Sequence, residues 1–414
     1  MKKLSLILAV ALSSAALNSF ADQNIEIIGG TSAGNPKLAI VNFAGDDGTI
    51  NDELSSDFKV TGEFNVINYA SSAEIESEIQ YILEGTEVIT NDGATSISYK
   101  LSNNTTHKVL LDQTVRYSSK YQRKAVHNIS NIVYQKLTNT KGIFTSKIAL
   151  AIQKAAHSYA IIVADYDGYN QKTILSTAHP ISSLAWDSTG NSLSYVTWET
   201  SKPVVYVQNL SKGTRYSAAN FSGSNSSPAF TPDGRRLAVT LSRDYGSHIF
   251  LVDNRKYQGV TKIVPLISYG PTIDTEADIS TNGKVLFTSD HDGGPQIFMS
   301  DLKGSAPVRI TNGKALGNYN TTARFSNDAS KISFISRNEG VLKAYVMDLT
   351  TKSAYPISMY ANHDLAPSFA PNDKLILFSS DNNVFISNAT GTVQTKLNNI
   401  NALDVIDQRW AKNF

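Results

Sequence analysis

The sequence predicts an α+β multidomain chain: a small N-terminal α/β domain followed by a six-bladed β-propeller closed by the C-terminal strand. Two observations predict the propeller. The first is a recurring stretch, clearest as Phe230-Thr-Pro-Asp-Gly-Arg-Arg-Leu237, where an apolar residue precedes a turn and then the alternating Leu237, Val239 and Leu241. Degraded copies are Trp186-Asp-Ser-Thr-Gly190, Ile279-Ser-Thr-Asn-Gly283, Phe325-Ser-Asn-Asp-Ala329 and Phe369-Ala-Pro-Asn-Asp373, so the leading apolar residues are spaced 44, 49, 46 and 44. A period of that length with four short strands per unit marks a propeller blade. The second is an apolar strand ending in Asp or Asn before a turn, at Asp165, Asn209, Asp253, Asp301, Asp348 and Asn388. Asp and Asn open such turns by bonding nearby backbone, and Gly supplies the positive φ.

These six markers face only five leading residues. The sixth is Trp410, which ends Val405–Trp410 and lies 41 positions after Phe369. That segment reads as the innermost strand of the blade begun by Ile148–Ile152 and Ala160–Ala164. Sewing one blade from both ends removes two open sheet edges.

The N-terminal region is read in order. Lys2-Lys3, the apolar Leu4 to Leu17 and the small-x-small Ser19-Phe20-Ala21 form a cleavable signal peptide over residues 1–21. The mature chain is then expected to begin at Asp22, exported and without a lipid anchor. Residues 22–140 read as the α/β domain. Ile25–Ile28, Leu38–Phe43 and Phe64–Tyr69 are strands, Ile50–Phe58 is a helix, and Ala73–Leu83 is a second helix before a short strand at Glu87–Thr90. Strands follow near Ile97–Leu101 and Val109–Leu111. Ala125, Ile129, Ile132, Val133 and Leu137 then fall on one helical face, with Ser118 or Ser119 as cap. From Ser146 the pattern is all-β, and residues 146–414 form the propeller.

Composition narrows the function. The 414 residues carry a net charge of +1, which falls to −1 with loss of Lys2 and Lys3, so there is no charge excess for nucleic acid or anionic lipid. With 0 cysteines there are no disulfides, thiolate metal sites or cysteine nucleophile. Gly30-Thr-Ser-Ala-Gly34 fits a hydrolase elbow, but Asn35-Pro36 and a strand follow it where that elbow needs a helix. Ile27-Ile-Gly-Gly-Thr31 and Thr177-Ala-His179 echo trypsin-like proteases without their Gly-Asp-Ser-Gly-Gly. No close metal-ligand spacing occurs, so no metal or cofactor is expected.

If blade strands are lettered A to D from the inside, the A–B and C–D turns are repetitive. The B–C and D–A connections open on the opposite face and carry the irregular residues. From B–C come His157, Trp198-Glu199, Arg243-Asp-Tyr245 and Asp290-His-Asp-Gly-Gly294, the last read as a hairpin turn. From D–A come His179, Ser224-Asn225, Asp274-Thr-Glu276, Asn318-Tyr-Asn320, His363-Asp364 and Asp404. A binding site belongs on this face, where loops vary without disturbing the ring. A hydrolase pairing Glu276 with Asp364 or Asp404 is the alternative.

These features together resemble the TolB family, the periplasmic component of the Tol–Pal system. Lys136-Leu-Thr-Asn-Thr-Lys-Gly142-Ile-Phe144 resembles its domain junction and Ala164-Asp-Tyr-Asp-Gly-Tyr-Asn170 its first propeller hairpin. Ser227-Pro-Ala-Phe-Thr-Pro-Asp-Gly234 and Phe287-Thr-Ser-Asp290 with Gly294-Pro-Gln296 are similar to its blade motifs. The likeness runs from about Ile25 to Trp410. It implies a binding protein without catalytic site or cofactor, taking the lipoprotein Pal at the propeller mouth and TolA at the mature N-terminus. The implied role is to maintain the outer membrane and support its constriction at division; bacteriocins exploit the same mouth in that family.

By position, the TolA segment is Asp22 to about Gly30, with Ile25, Glu26, Ile27 and Ile28. Its pattern suits addition to a partner's sheet edge, or equally a strand within its own α/β domain. Thr275 and Glu276 match a family pair that meets Pal, and Asp364, beside His363, matches an acidic position. Ser224 departs from the His frequent before this Asn225. Asn320 and Asp404 are placed by blade geometry alone.

Deleting Leu403–Phe414 is expected to lower the thermal midpoint of the whole propeller, because the first blade loses its inner strand and the open ring leaves two unpaired sheet edges. Circular dichroism melting checks this; a truncated chain that melts like the intact one refutes the closure.

Overall fold

A computed structural model describes residues 27–28, 34–90, 94–243, 245–253, 263–268, 270–312, 316–359 and 363–413. The signal-peptide residues 1–21, Asp22, Ile25 and Glu26 lie outside the described residues.

The N-terminal domain contains β1 (Ile27–Ile28), β2 (Lys37–Val41), α1 (Thr49–Thr61), β3 (Asn65–Tyr69), β4 (Tyr81–Ile89), β5 (Thr95–Asn103), β6 (Lys108–Tyr117) and α2 (Gln122–Thr138). Five of these strands form one sheet in the order β3-β2-β4-β5-β6. The β2 strand runs parallel to β3 and β4, and the rest pair antiparallel. Helix α1 forms because Ile50, Leu54 and Phe58 recur every four residues and are all fully buried. Asp46 Oδ2 accepts the Ile50 N–H at 2.9 Å, which satisfies one free donor of the first turn. Gly62 ends the helix at φ 67°. A Cβ at Gly62 would come within 2.7 Å of Val393, so glycine here also permits close approach to the propeller.

Three local expectations are corrected. Ala73–Leu83 is not a helix: only Ser72–Glu74 makes a 3₁₀ turn, and β4 begins at Tyr81 and absorbs the short strand expected at Glu87–Thr90. Ile75, Ile79 and Leu83 stand at helical spacing, but Leu83 belongs to the alternation of a central strand paired to β2. Neither Ser118 nor Ser119 caps α2 with its side chain; Ser119–Tyr121 is a separate 3₁₀ turn. The strand at Ile27–Ile28 does not join the α/β sheet.

The propeller has six blades. Blade 1 combines β7 (Lys147–Ala155), β8 (Ser158–Asp165) and β9 (Lys172–Thr177) with the C-terminal strand. Blade 2 is β10 (Ile181–Trp186), β11 (Ser192–Thr197), β12 (Val204–Asn209) and β13 (Thr214–Ala219). Blade 3 is β14 (Asn225–Phe230), β15 (Arg236–Arg243), β16 (Gly246–Asp253) and β17 (Ile263–Ile267). Blade 4 is β18 (Asp274–Ile279), β19 (Lys284–Ser289), β20 (Gln296–Asp301) and β21 (Val308–Arg309). Blade 5 is β22 (Tyr319–Phe325), β23 (Lys331–Asn338), β24 (Val341–Asp348) and β25 (Ala354–Pro356). Blade 6 is β26 (Asp364–Phe369), β27 (Leu375–Ser380), β28 (Asn383–Asn388) and β29 (Gln394–Lys396), and β30 (Asp404–Trp410) completes blade 1 in the order β30-β7-β8-β9. Each innermost strand ends on its repeat residue, Trp186 through Trp410, and each third strand ends on its Asp or Asn. In the A–B turns, Thr231 Oγ1 donates to Asp233 Oδ1 at 2.6 Å, and Ser280 to Asn282 and Ser326 to Asp328 repeat that bond.

One strand of the N-terminal region belongs to the propeller. The backbone of β1 pairs antiparallel with β29, Ile27 opposite Thr395 and Ile28 opposite Gln394, and forms a fifth strand on blade 6. The α/β domain itself sits on the repetitive-turn face, over blades 1 and 6. One apolar core runs through both, joining Leu54, Phe58 and Phe144 to Ile148, Leu377 and Trp410. Among the described residues, no helix is long and apolar enough to cross a membrane.

A buried charged cluster pins this interface. From α1 come Glu53 and Asp57, from α2 Arg123 and His127, and from the blade 1 turn Tyr166, Asp167 and Tyr169. His127 Nδ1 lies 2.9 Å from Asp57, and its Nε2 lies 3.2 Å from Glu53 and 3.3 Å from Asp167. Tyr166 donates to Asp57, Arg123 pairs with Asp167, and the Arg123 guanidinium lies 3.8 Å from the Tyr169 ring centroid. Burial pulls the His127 proton affinity down, but Asp57, Asp167 and Glu53 reverse this and hold its pKa well above the usual 6.5. Burial pushes Glu53 up to about 8 against the pull of His127 and Arg123. Burial also raises Asp167, but His127 and Arg123 outweigh it and hold the carboxyl at about 2.

Both raised groups act in the same direction. The folded state holds protons on Glu53 and His127 that the unfolded chain releases at about 4.5 and 6.5, so stability falls as pH rises through about 8. Asp167 acts only below its ordinary range. The urea midpoint is therefore expected to be higher at pH 5.5 than at pH 8.5, with Glu53 alone supplying about 3 kcal/mol of the difference in stability, a share lost in Glu53→Gln. A midpoint that rises between these pH values refutes the assignment.

Candidate protein-binding mouth of the propeller

All six innermost strands carry a β-bulge against the strand beside them. It falls between Ser182 and Ala185, Ser226 and Ala229, Thr275 and Asp278, Thr321 and Arg324, Leu365 and Ser368, and Val405 and Asp407. In five blades the bulge holds a residue in the left-handed region: Ser183 (φ 58°), Ser227 (48°), Glu276 (57°), Thr322 (57°) and Ala366 (45°). Bulges re-aim side chains and bend a strand. Here they widen the channel entrance into a chamber of about 290 Å³ on the face opposite the α/β domain.

The chamber wall mixes polar residues, among them Ser182, Ser183, Ser227, Glu276, Thr321, Thr322 and Asp407, with apolar Leu184, Tyr319, Leu342, Leu365 and Ile406. Leu365 is 39% exposed. Glu276 ties blade 4 to blade 5: its Oε2 accepts from Thr288 Oγ1 and the Thr322 N–H, each at 2.8 Å, and its Oε1 from Thr322 Oγ1 at 3.0 Å. Thr275 turns the other way, 3.4 Å from Ser227 Oγ and 3.3 Å from Thr240 Oγ1.

Of the eight mouth residues read from the sequence, Glu276 alone is among those lining the chamber. Ser224 and His363 are exposed at its rim, and Asp404 is half-buried at the start of β30. Asn225, Asn320 and Asp364 correct the expectation of loop side chains, because all three are fully buried. Asn225 Oδ1 accepts the Phe221 N–H at 2.8 Å, and its amide donates to the Pro203, Phe221 and Gly223 carbonyls. Asn320 donates to Gln296 Oε1 at 2.9 Å, and Asp364 accepts the Ala344 N–H at 2.7 Å. Burial pushes the Asp364 carboxyl above its ordinary range. The D–A connections leave backbone groups that no ladder pairs, and a short amide or carboxylate at the strand start satisfies them.

The carboxylates that line the chamber are Glu276 and Asp407. Asp407 Oδ2 accepts the Leu184 N–H at 2.6 Å, so each of the two binds a backbone N–H of the next blade. Neither Asp364 nor Asp404 joins Glu276 there as the alternative acid–base pair requires. The sequence reading missed the bulge residues other than Glu276, and the chamber floor, formed by Arg324 and Arg409. The floor had a signal: the position before each repeat residue reads Ala185, Ala229, Asp278, Arg324, Ser368 and Arg409, so half of an otherwise small position is charged.

Comparison with known proteins agrees with this architecture. A family profile described as the TolB beta propeller domain matches residues 134–413. The Tol-Pal system protein TolB of Bordetella pertussis is 34% identical over 294 residues, covering 67% of this chain and 66% of that protein. The protein of the same name from Methylobacillus flagellatus is 33% identical over 223 residues, 49% of this chain and 51% of its own. The matched stretches thus span just under two thirds of the first relative's length and about half of the second's. The crystal structure of TolB from Acinetobacter baumannii superposes with a TM-score of 0.79 at 27% identity, covering 94% of this chain and 99% of that one. With the six blades, their closure and the domain order, these matches establish that the chain belongs to the TolB family, whose named members are Tol–Pal system proteins.

Proposed function

We propose that the chain is a periplasmic protein-binding adaptor of a Tol–Pal system, exported by a cleaved signal peptide. It takes the lipoprotein Pal at the propeller mouth and TolA through its mature N-terminus. The proposed role is to keep the outer membrane intact and to support its constriction during division, with bacteriocins using the same mouth. The carrying observation is the chamber of mixed polar and apolar lining, open to solvent on the face that the α/β domain leaves uncovered. Apolar side chains set among polar ones suit a protein segment, whose recognition needs an apolar anchor within a polar rim. Both lining carboxylates are engaged by backbone donors, which favours binding over acid–base catalysis.

Within this reading, Glu276 and Thr275 at the bulge, with Ser224, His363 and Asp404 at the rim, meet Pal. The buried Asn225, Asn320 and Asp364 shape the connections beneath them. Asp22, Ile25, Glu26, Ile27 and Ile28 belong to the TolA segment. The β1–β29 pairing supports strand addition for that segment, because its backbone is already extended.

Glu276→Arg is expected to weaken binding of purified Pal at least tenfold, about 1.4 kcal/mol, in calorimetry. The urea midpoint, read in parallel, separates this from loss of the blade 4–5 bonds. Deleting residues 22–33 is expected to remove TolA capture while Pal capture persists. Unchanged Pal affinity in folded Glu276→Arg overturns the mouth assignment, and TolA capture without residues 22–33 overturns the N-terminal one.

A further inference from the structure

The channel narrows beneath the mouth to a waist where Arg324 and Arg409 line both the upper chamber of about 290 Å³ and a lower space of about 30 Å³. At the equivalent position blades 2, 3 and 6 carry Ala185, Ala229 and Ser368, so these guanidiniums project where the other blades leave room. Arg324 is 8% exposed and Arg409 6%. Arg324 donates from one terminal nitrogen to the Ala323 carbonyl at 2.8 Å, and its Nε has no partner. Among the described residues, no carboxylate lies within 4 Å of Arg324. Arg409 donates from Nε to the Leu184 carbonyl at 2.8 Å, and its nearest carboxylate oxygen, on Asp278, is 3.9 Å away. Lys412 lies at the same 3.9 Å from that oxygen.

The two acidic groups each also accept a backbone N–H. Asp278 accepts the Phe325 N–H at 2.9 Å and Asp407 the Leu184 N–H at 2.6 Å. The second oxygen of Asp407 is buried without a hydrogen-bond partner, and burial raises its carboxyl against the pull of Arg409 and Arg324. Burial and the neighbouring Arg324 lower Arg409 to about 10, against the pull of Asp278, Asp407 and Glu276. Arg324 is buried without a direct ion pair, Asp278 and Asp407 acting on it only at longer range, and its planar fork matches an oxyanion.

We propose that this waist is a binding site for a single small carboxylate-type anion, held by Arg324 with Arg409 and entered from the mouth. The lower space is too small to pass such a ligand through, so the site is a blind end and not a conduit. The carboxylate comes either as a free anion or on a protein side chain that reaches down the chamber.

The test is calorimetric titration of the mature chain with acetate and, separately, with a blocked tripeptide carrying one Glu side chain. Saturable binding of acetate assigns a free anion; binding of the peptide alone assigns a protein-borne carboxylate. Either affinity is expected to fall at least tenfold in Arg324→Met and to persist in Arg337→Ala, a rim arginine that lies 4.2 Å from the Tyr319 ring. Arg409→Met serves where Arg324→Met does not fold. Absence of binding by both probes, or binding unaffected in a folded waist variant, overturns the proposal.

Discussion

The pairing of β30 with β7 is the constraint on which the rest of the structure depends. It joins residues more than 250 positions apart and turns an open stack of sheets into a ring. Trp410 is where closure meets the rest of the core. Its indole N–H reaches Ser146 Oγ at 2.8 Å, its backbone N–H reaches Ser368 Oγ at 3.1 Å, and its ring stacks on Tyr166. Tyr166 in turn donates to Asp57 of the α/β domain. One side chain therefore couples ring closure, the contact with blade 6 and the seating of the N-terminal domain. Such coupling makes the two domains one cooperative unit, unlike an interface that a linker alone maintains.

Closure also divides the labour of the two faces. Most A–B and C–D turns reuse a common chemistry of hydroxyl, Asp or Asn, and glycine, and the α/β domain rests on that regular surface. The opposite face is freed from this chemistry. Its bulges place Ser, Glu, Thr or Ala in the left-handed region, where a β-branched Thr322 is an unusual occupant. Strain of that kind persists only where the surrounding sheet over-determines it. It falls on the residues that shape the mouth and leaves alone those that hold the ring.

The ring was legible because its repeat residues are large and end every inner strand, so Trp410 could be identified from a count. The bulges were not legible, since one extra residue per strand leaves no compositional trace and five different positions use four residue types. Asn225, Asn320 and Asp364 misled for a related reason: a polar residue after a loop reads as surface, although a buried turn needs a short polar side chain. Ile75, Ile79 and Leu83 imitated a helix, and the parallel pairing of β4 with β2, which decides the matter, is not a local property. The clustering of Glu53, His127 and Asp167 across 115 positions is equally non-local. The docking of β1 on blade 6 could not be read either, because a two-residue strand specifies its partner only through the edge that remains open.

That open edge bears on how the molecule divides its N-terminal segment between itself and a partner. Blade 6 is complete with four strands, so β1 adds pairing without being needed for closure. A two-residue register supplies few backbone bonds, each worth about 1 kcal/mol net. The same N–H and C=O groups cannot pair with β29 and with a partner's strand at once. In the proposed TolA interaction, a partner that uses the groups now facing β29 displaces this docking, and the cost is small compared with that of opening the ring. Val393, beside β29, packs against Gly62 at the end of α1, so the edge that receives β1 is positioned by the seated α/β domain. Any force that shifts this seating changes the competition directly. The buried cluster around His127 is exposed to such a shift, because Tyr166 and Asp167 meet Asp57, Arg123 and His127 across the domain boundary.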